Sequence, residues 1–156
     1  MKNEGYVYSV RMPATAVTAA KTLMQIKTGA AAIEILDFRL AQTTKTTSEL
    51  LALQILRKTA TATVTSATPV KINSNDPASL AVGGTSATGY NASAEGTDGD
   101  ILWDGVWNVL NGEYPYLPTP EARIWTPQTD FIAIKLLTAP AASMTLTLSV
   151  FYVEYR

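Results

Sequence analysis

A chain of 156 residues with no cysteine and no histidine suits one domain that buries about two-thirds of its unfolded surface. This composition excludes disulfides, thiolate nucleophiles, thiolate and imidazole metal ligands, and the one side chain that titrates unperturbed near neutral pH. Charged residues are 16% of the chain where about 25% is usual. With 12 Lys+Arg against 13 Asp+Glu, no global field draws nucleic acid or an anionic membrane.

Met1 to Val10 carries Asn, Glu and Gly where a signal peptide would place its apolar run. Residues 1–13, with Tyr6 and Tyr8, read as an extended N-terminal segment, an arm that reaches away from a domain spanning 14–156. Ile33 and Ile35 share one parity and Leu36, Phe38 and Leu40 the other, a phase jump that predicts a β-bulge and kink near Leu36. Ser48 to Lys58 mixes good helix formers with alternating Leu51, Leu53 and Ile55. Strand-like sequence on both sides favours a strand.

Asn73 to Asp100 is rich in Gly, Ser, Asn and Asp and reads as long loops with room for one short strand or helical turn. Loops of that length tend to carry function or to order against a partner. Ile101 to Asn111 resumes a strand with Ile101, Trp103, Trp107 and Val109 on one parity, which points both tryptophans into the core. Four prolines between Pro115 and Pro127 confine the next stretch to edge segments or a crossover. Tyr114, Tyr116 and Trp125 on it are candidate anchors at a protein interface, where Tyr and Trp are enriched.

Ile132, Ile134 and Leu136 form a strand whose Ala139-Pro140 turn predicts an antiparallel neighbour in the closing strand. That closing strand is the clearest of all: Met144, Leu146, Leu148, Val150 and Tyr152 alternate with polar residues. From Phe151 its second face also turns apolar through Val153 and Tyr155, which predicts cover from both sides, including another subunit. Some eight such strands with long crossovers predict an all-β chain, a single jelly-roll-like β-sandwich.

Chemistry is sparse. Glu95, Asp98, Asp100 and Asp104 form the densest acidic group, but the spacing is not that of an EF-hand and Asp-Gly pairs serve turns. Val82 to Gly89 lacks the Lys-Ser/Thr ending of a phosphate loop and reads as flexible. Arg57, Lys58 and Lys71 read as solvated strand ends rather than a phosphate footprint. A serine nucleophile would need a lysine base, and no Ser-x-x-Lys occurs. No catalytic residue, cofactor or metal site is therefore expected, and the chain is not expected to be an enzyme.

Three segments have a familiar texture: LMQIKTGAAAIEILDFRLAQTTKTTSELLALQILRKT, then DPASLAVGGTSATGYNASAEGTDGDILWDGVWNVLNGEYPYLPTPEARIWTP, then FIAIKLLTAP. Together, from about Ala16 to Tyr155, the chain resembles small virion structural proteins of tailed bacteriophages. The resemblance implies a jelly-roll protein of the capsid, made in the host cytoplasm: a decoration (cement) protein, a head-fibre base or a minor shell component. It further implies a homotrimer, with the major capsid protein or other virion proteins as partners and no nucleic acid or membrane. A carbohydrate- or receptor-binding jelly roll of a phage fibre is the alternative. In either case the interface candidates are Tyr6, Tyr8, Tyr114, Tyr116, Trp125 and Tyr155.

Overall fold

A computed structural model describes residues 5–156. Among them, strands β1 (Gly5–Val17), β2 (Lys21–Lys27), β3 (Ala32–Gln42), β4 (Leu50–Ala60), β5 (Thr63–Ser66) and β6 (Val70–Lys71) make up the first half. The second half contains β7 (Gly89–Ala94), β8 (Thr97–Asn108), β9 (Tyr114–Tyr116), β10 (Trp125–Thr126), β11 (Phe131–Leu136) and β12 (Met144–Tyr155), with a 3-10 turn at Pro120–Ala122. Two antiparallel sheets result. Sheet I has the order β10-β3-β12-β1-β6 with β9 also on β3, and sheet II the order β5-β7-β2-β11-β4-β8.

The alternation that predicts β12 also positions it. Met144, Leu146, Leu148, Val150 and Tyr152 are fully buried, facing Val10, Met12, Phe38 and Leu40 of their own sheet and the inner residues of sheet II. Each extended residue sends its side chain to the face opposite its neighbour's, so one register brings a whole apolar set inside. The space between the sheets is filled: the interior void among Met24, Ile26, Ile55, Ile134 and Val150 holds about 10 Å³. Ligand pockets need some hundreds of Å³, so this void is too small to hold a small molecule.

The bulge falls where the phase jump predicts. β12 pairs Phe151 with Asp37 but Tyr152 with Ile35, leaving Leu36 as the extra residue. Of Ser48 to Lys58, the residues from Leu50 onward are strand, as β4, and the prolines confine β9 and β10 to short segments on the edge of sheet I.

Four expectations are corrected. Gly5 to Pro13 is no arm: it is the first part of β1, paired with β12 from Gly5↔Tyr155 to Met12↔Leu148, with Tyr8, Val10 and Met12 buried. Residues 1–4 lie outside the described ones. β11 and β12 are not neighbours, because the turn after Leu137 carries the chain from sheet II to sheet I. Ile101 is exposed although Trp107 and Val109 are buried, since β8 shifts register on β4 between Ile55↔Trp103 and Leu56↔Ile101 and the parity is reset. Asn73 to Asp100 includes β7 and the start of β8, and within Val82 to Gly89 the loop is anchored, with Ala87 and Thr88 buried.

Candidate interaction surfaces

The six aromatic candidates are distributed over three environments. Tyr114 and Tyr116, on β9, stack against Phe38 at centroid distances of 6.3 and 5.1 Å, and Trp103 of β8 meets Tyr116 edge-on at 5.1 Å. This cluster closes the flank of the sandwich between β3 and β8, where the two sheets have no common strand. Burial pushes the hydroxyls of both tyrosines above the ordinary value, because a phenolate is costly to desolvate. Tyr116 is buried, so its ring belongs to the core and offers no surface.

Tyr8 is likewise buried, which removes it from the interface candidates. It lies 5.7 Å from Tyr152 and donates its hydroxyl to Pro77 O at 3.0 Å. Beside them Glu154 is a fully buried carboxylate, and its partners satisfy both oxygens. Ser79 Oγ and the Leu80 amide donate to Oε2 at 2.8 and 2.9 Å, and Arg156 Nε donates to Oε1 at 2.8 Å. These bonds hold the loop after β6 against the open end of sheet I. The Arg156 guanidinium also sits 5.4 Å above the Tyr6 ring, so Tyr6 belongs to this packed corner.

Trp125 and Tyr155 form the third environment, on the outer face of sheet I. Their rings stack at 5.1 Å, and Trp125 stays 47% exposed. Tyr155 donates to Glu34 Oε2 at 2.6 Å, and Arg123 reaches Glu34 Oε1 at 3.4 Å. The Glu34 carboxylate, then burial, push the Tyr155 hydroxyl up.

Register extends that face across the sheet. Glu34, Val153 and Val7 are cross-strand neighbours, and the next row is Asp37, Phe151, Ser9 and Val70. Leu36, Ile72, Leu117 and Pro118 border the same groove. Val70, Ile72 and Leu117 are all more than half exposed. The second apolar face expected near Phe151 is therefore present. Val153 is buried, while the aliphatic residues around it remain open.

The outer face of sheet II is built differently. Its central positions are polar and buried: Gln25 donates to Ala87 O and Thr61 Oγ1 and accepts from the Ala62 amide. Lys58 has a fully buried side chain whose ammonium lies 2.7 Å from Asp98 Oδ1 and 3.2 Å from Glu95 Oε2. Lys135 pairs with the same two carboxylates, and Glu95 also accepts from the Thr22 amide and hydroxyl at 2.6 and 2.7 Å.

Desolvation works to raise both carboxyls. The Thr22 donors and Lys58 outweigh it at Glu95, Lys135 and Lys58 outweigh it at Asp98, and both are held below the ordinary values. Lys135 is raised, its desolvation outweighed by Asp98 and Glu95. Chemically this is a staple. The chain leaves β7 beside β2 and reaches β8 beside β4, so Glu95 and Asp98 pin the crossing over β11.

The acidic group is thus divided: Glu95 and Asp98 serve lysines, Asp104 accepts from Gln54 at 2.7 Å, and Asp100 stands apart. Among the described residues no group of three or more His, Cys, Asp or Glu side chains converges as a metal site. No helix among them is long and apolar enough to cross a membrane.

Beyond the staple, the β4–β8 end of sheet II is apolar again. Leu137, Ala52 and Val106 lie side by side, with Leu50 next along β4. Leu50 and Val106 are more than 60% exposed.

The chain matches no family model, no curated protein and no solved structure. The sequence draws attention to aromatic residues, whereas the exposed large hydrophobics are mostly aliphatic, among them Val70, Ile72, Leu117, Leu50 and Val106. Lys58 reads from the sequence as a solvated strand end, and nothing local marks Lys135 as its neighbour. Their partners come from sequence separations of 37 to 40 residues, which no local pattern encodes.

Proposed function

We propose that the chain is a structural subunit of a tailed-phage virion, a capsid decoration protein that binds at junctions between shell subunits and stabilises the head. The observation that carries this reading is the apolar outer face of sheet I, where Val70, Ile72 and Leu117 stay open while the void between the sheets holds only about 10 Å³. Exposed apolar patches of this kind mark protein interaction sites. The connectivity supports a jelly roll. The strands β1, β2, β3 and β4 are each bonded to one returning from the second half: β12, β11, β9 with β10, and β8. A long hairpin rolled across two sheets has this order.

Locating the chain on purified particles by labelled antibody and cryo-electron microscopy tests the reading. Regular positions on the shell, with loss of heat and osmotic resistance when the protein is stripped, are expected. Its absence from particles, or unchanged resistance after stripping, refutes the role.

A second reading is a carbohydrate-binding module of a fibre, favoured by one observation. The open indole face of Trp125 is flanked by the Glu34 carboxylate and Arg123, and a flat ring bordered by hydrogen-bonding groups suits a sugar face. Tyr114 and Tyr116 do not extend this platform, since they pack with Phe38. A glycan array on wild type and Trp125→Ala decides it: saturable binding lost in the variant supports the module, and no signal removes it.

A further inference from the structure

Two exposed aliphatic patches occupy opposite outer faces of one sandwich, and each carries an unmatched charge of opposite sign. On sheet I, Arg39 is shared by Asp37 and Glu113 and Arg123 faces Glu34. Arg11 is exposed, borders one groove with Val70, and has no ion-pair partner among the described residues. On sheet II, Lys58 and Lys135 are consumed by Glu95 and Asp98. Asp100 and Asp104 are exposed on β8, Asp100 next to Ile101 in sequence and Asp104 two residues before Val106, and neither has an ion-pair partner among the described residues. The first patch offers Val70, Ile72 and Leu117 beside an arginine, and the second offers Leu50, Ile101 and Val106 beside two aspartates.

The geometry points to a head-to-tail contact between copies of this chain, in which the outer face of sheet I of one copy docks on the β4–β8 surface of the next. The inference rests on the reading of the chain as a self-associating structural subunit and names the surfaces it uses. A second copy fits both patches because each supplies what the other lacks: aliphatic area to exclude water and an opposite charge on its rim. A contact of sheet I with itself would leave the aspartates of β8 unmatched and its aliphatics wet. Since the two patches face away from each other, one molecule cannot satisfy both. A heterologous contact of this kind closes into a ring when the rotation allows.

The experiment uses the full chain and two variants at exposed positions, Ile72→Asp and Val106→Arg, each checked for an unchanged β-sheet circular dichroism spectrum. Mass is measured by light scattering after size-exclusion chromatography. Wild type is expected as an oligomer and each variant alone as a monomer. An equimolar mixture of the two is expected to recover at least a dimer. The Ile72→Asp chain keeps an intact β4–β8 surface, and the Val106→Arg chain keeps an intact face on sheet I.

A monomeric wild type at 100 times the concentration of the assay would overturn the contact, and so would a mixture that stays monomeric. An oligomer that survives Val106→Arg alone would show that sheet I pairs with itself, which also overturns it. Regular placement on particles combined with a monomer in solution would sink this inference and leave the virion reading standing.

Discussion

The Lys58 staple makes a sharp test of how the crossing between β7 and β8 is held. The Lys58 side chain is fully buried and its ammonium has two carboxylates within 3.2 Å, so neutralising them by Glu95→Gln with Asp98→Asn strands a buried ammonium. Removing the partner of a fully buried charge costs about 3–5 kcal/mol. Here the carboxylates are about a third exposed, so solvent already screens the pair and the loss is about 1–3 kcal/mol. For a chain of this length about 2 kcal/mol lowers Tm by roughly 4–8 °C.

Lys58→Met alone removes the ammonium while keeping the apolar stem, and leaves Glu95 and Asp98 with Lys135. Its cost is about 1 kcal/mol or less, because replacing a buried ion by a well-packed apolar group is often neutral. The decisive species is the triple variant. Adding Lys58→Met to the neutralised pair removes the stranded charge and is expected to raise Tm above that of the double variant. Thermal unfolding by circular dichroism at one fixed protein concentration measures all four proteins. If Lys58→Met lowers Tm further in the neutralised background, the side chain acts through packing, and the electrostatic account of the staple is wrong.

Acid should act on the same staple. Glu95 and Asp98 have folded values below their ordinary 4.5 and 3.8. Their contribution is present above those values and lost as pH falls through the lower folded ones. Melting temperature at pH 2 to 6 is expected to show a drop in this window that is smaller in the triple variant; equal drops would contradict it. Lys135, held above its ordinary 10.5, contributes fully below that value and loses its part only as pH rises beyond it. Gly96→Ala should destabilise by more than 2 °C in Tm, since an added Cβ would lie 2.0 Å from the Ala60 carbonyl oxygen and backbone must shift. Phe38→Ala, which removes the ring that joins Tyr114, Tyr116 and Trp103, should cost about 3–5 kcal/mol, read by urea denaturation. A loss under 1 kcal/mol would show that the flank is loosely packed.

How far the fold is legible depends on the range over which each signal acts. Alternation within a strand is local, so Met144 to Tyr152 and Ile132 to Leu136 declare their buried faces directly. The bulge at Leu36 is visible for the same reason, because one extra residue inverts the parity of everything after it. Which sheet a strand joins is not local. β11 and β12 read as a hairpin because a turn separates them, but a sandwich places sequential strands in different sheets whenever the turn spans the core. Ile101 fails for a related reason: its parity holds along β8 only while β8 keeps one register on β4, and three shifts near Leu56 and Lys58 break it.

The same distinction explains the surfaces. The length of the apolar run at Phe151 to Tyr155 is local and correctly marks a strand with two apolar faces, but its second face acquires meaning only from neighbours far away in sequence. Val7, Ile72 and Leu117 come from three separate segments and meet only through the pairings of β1 with β12 and β6 and through the crossover after β9. Aromatic residues attract attention in a sequence because each is large, yet large rings are also what fills a sandwich and closes its flank, as Tyr8 does inside and Tyr116 does at the β3–β8 edge. Small aliphatics left outside are the stronger sign. A sandwich whose void among Met24, Ile55 and Val150 holds only about 10 Å³ still leaves valine, isoleucine and leucine exposed on two opposite faces, and the proposed contact is what would bury them.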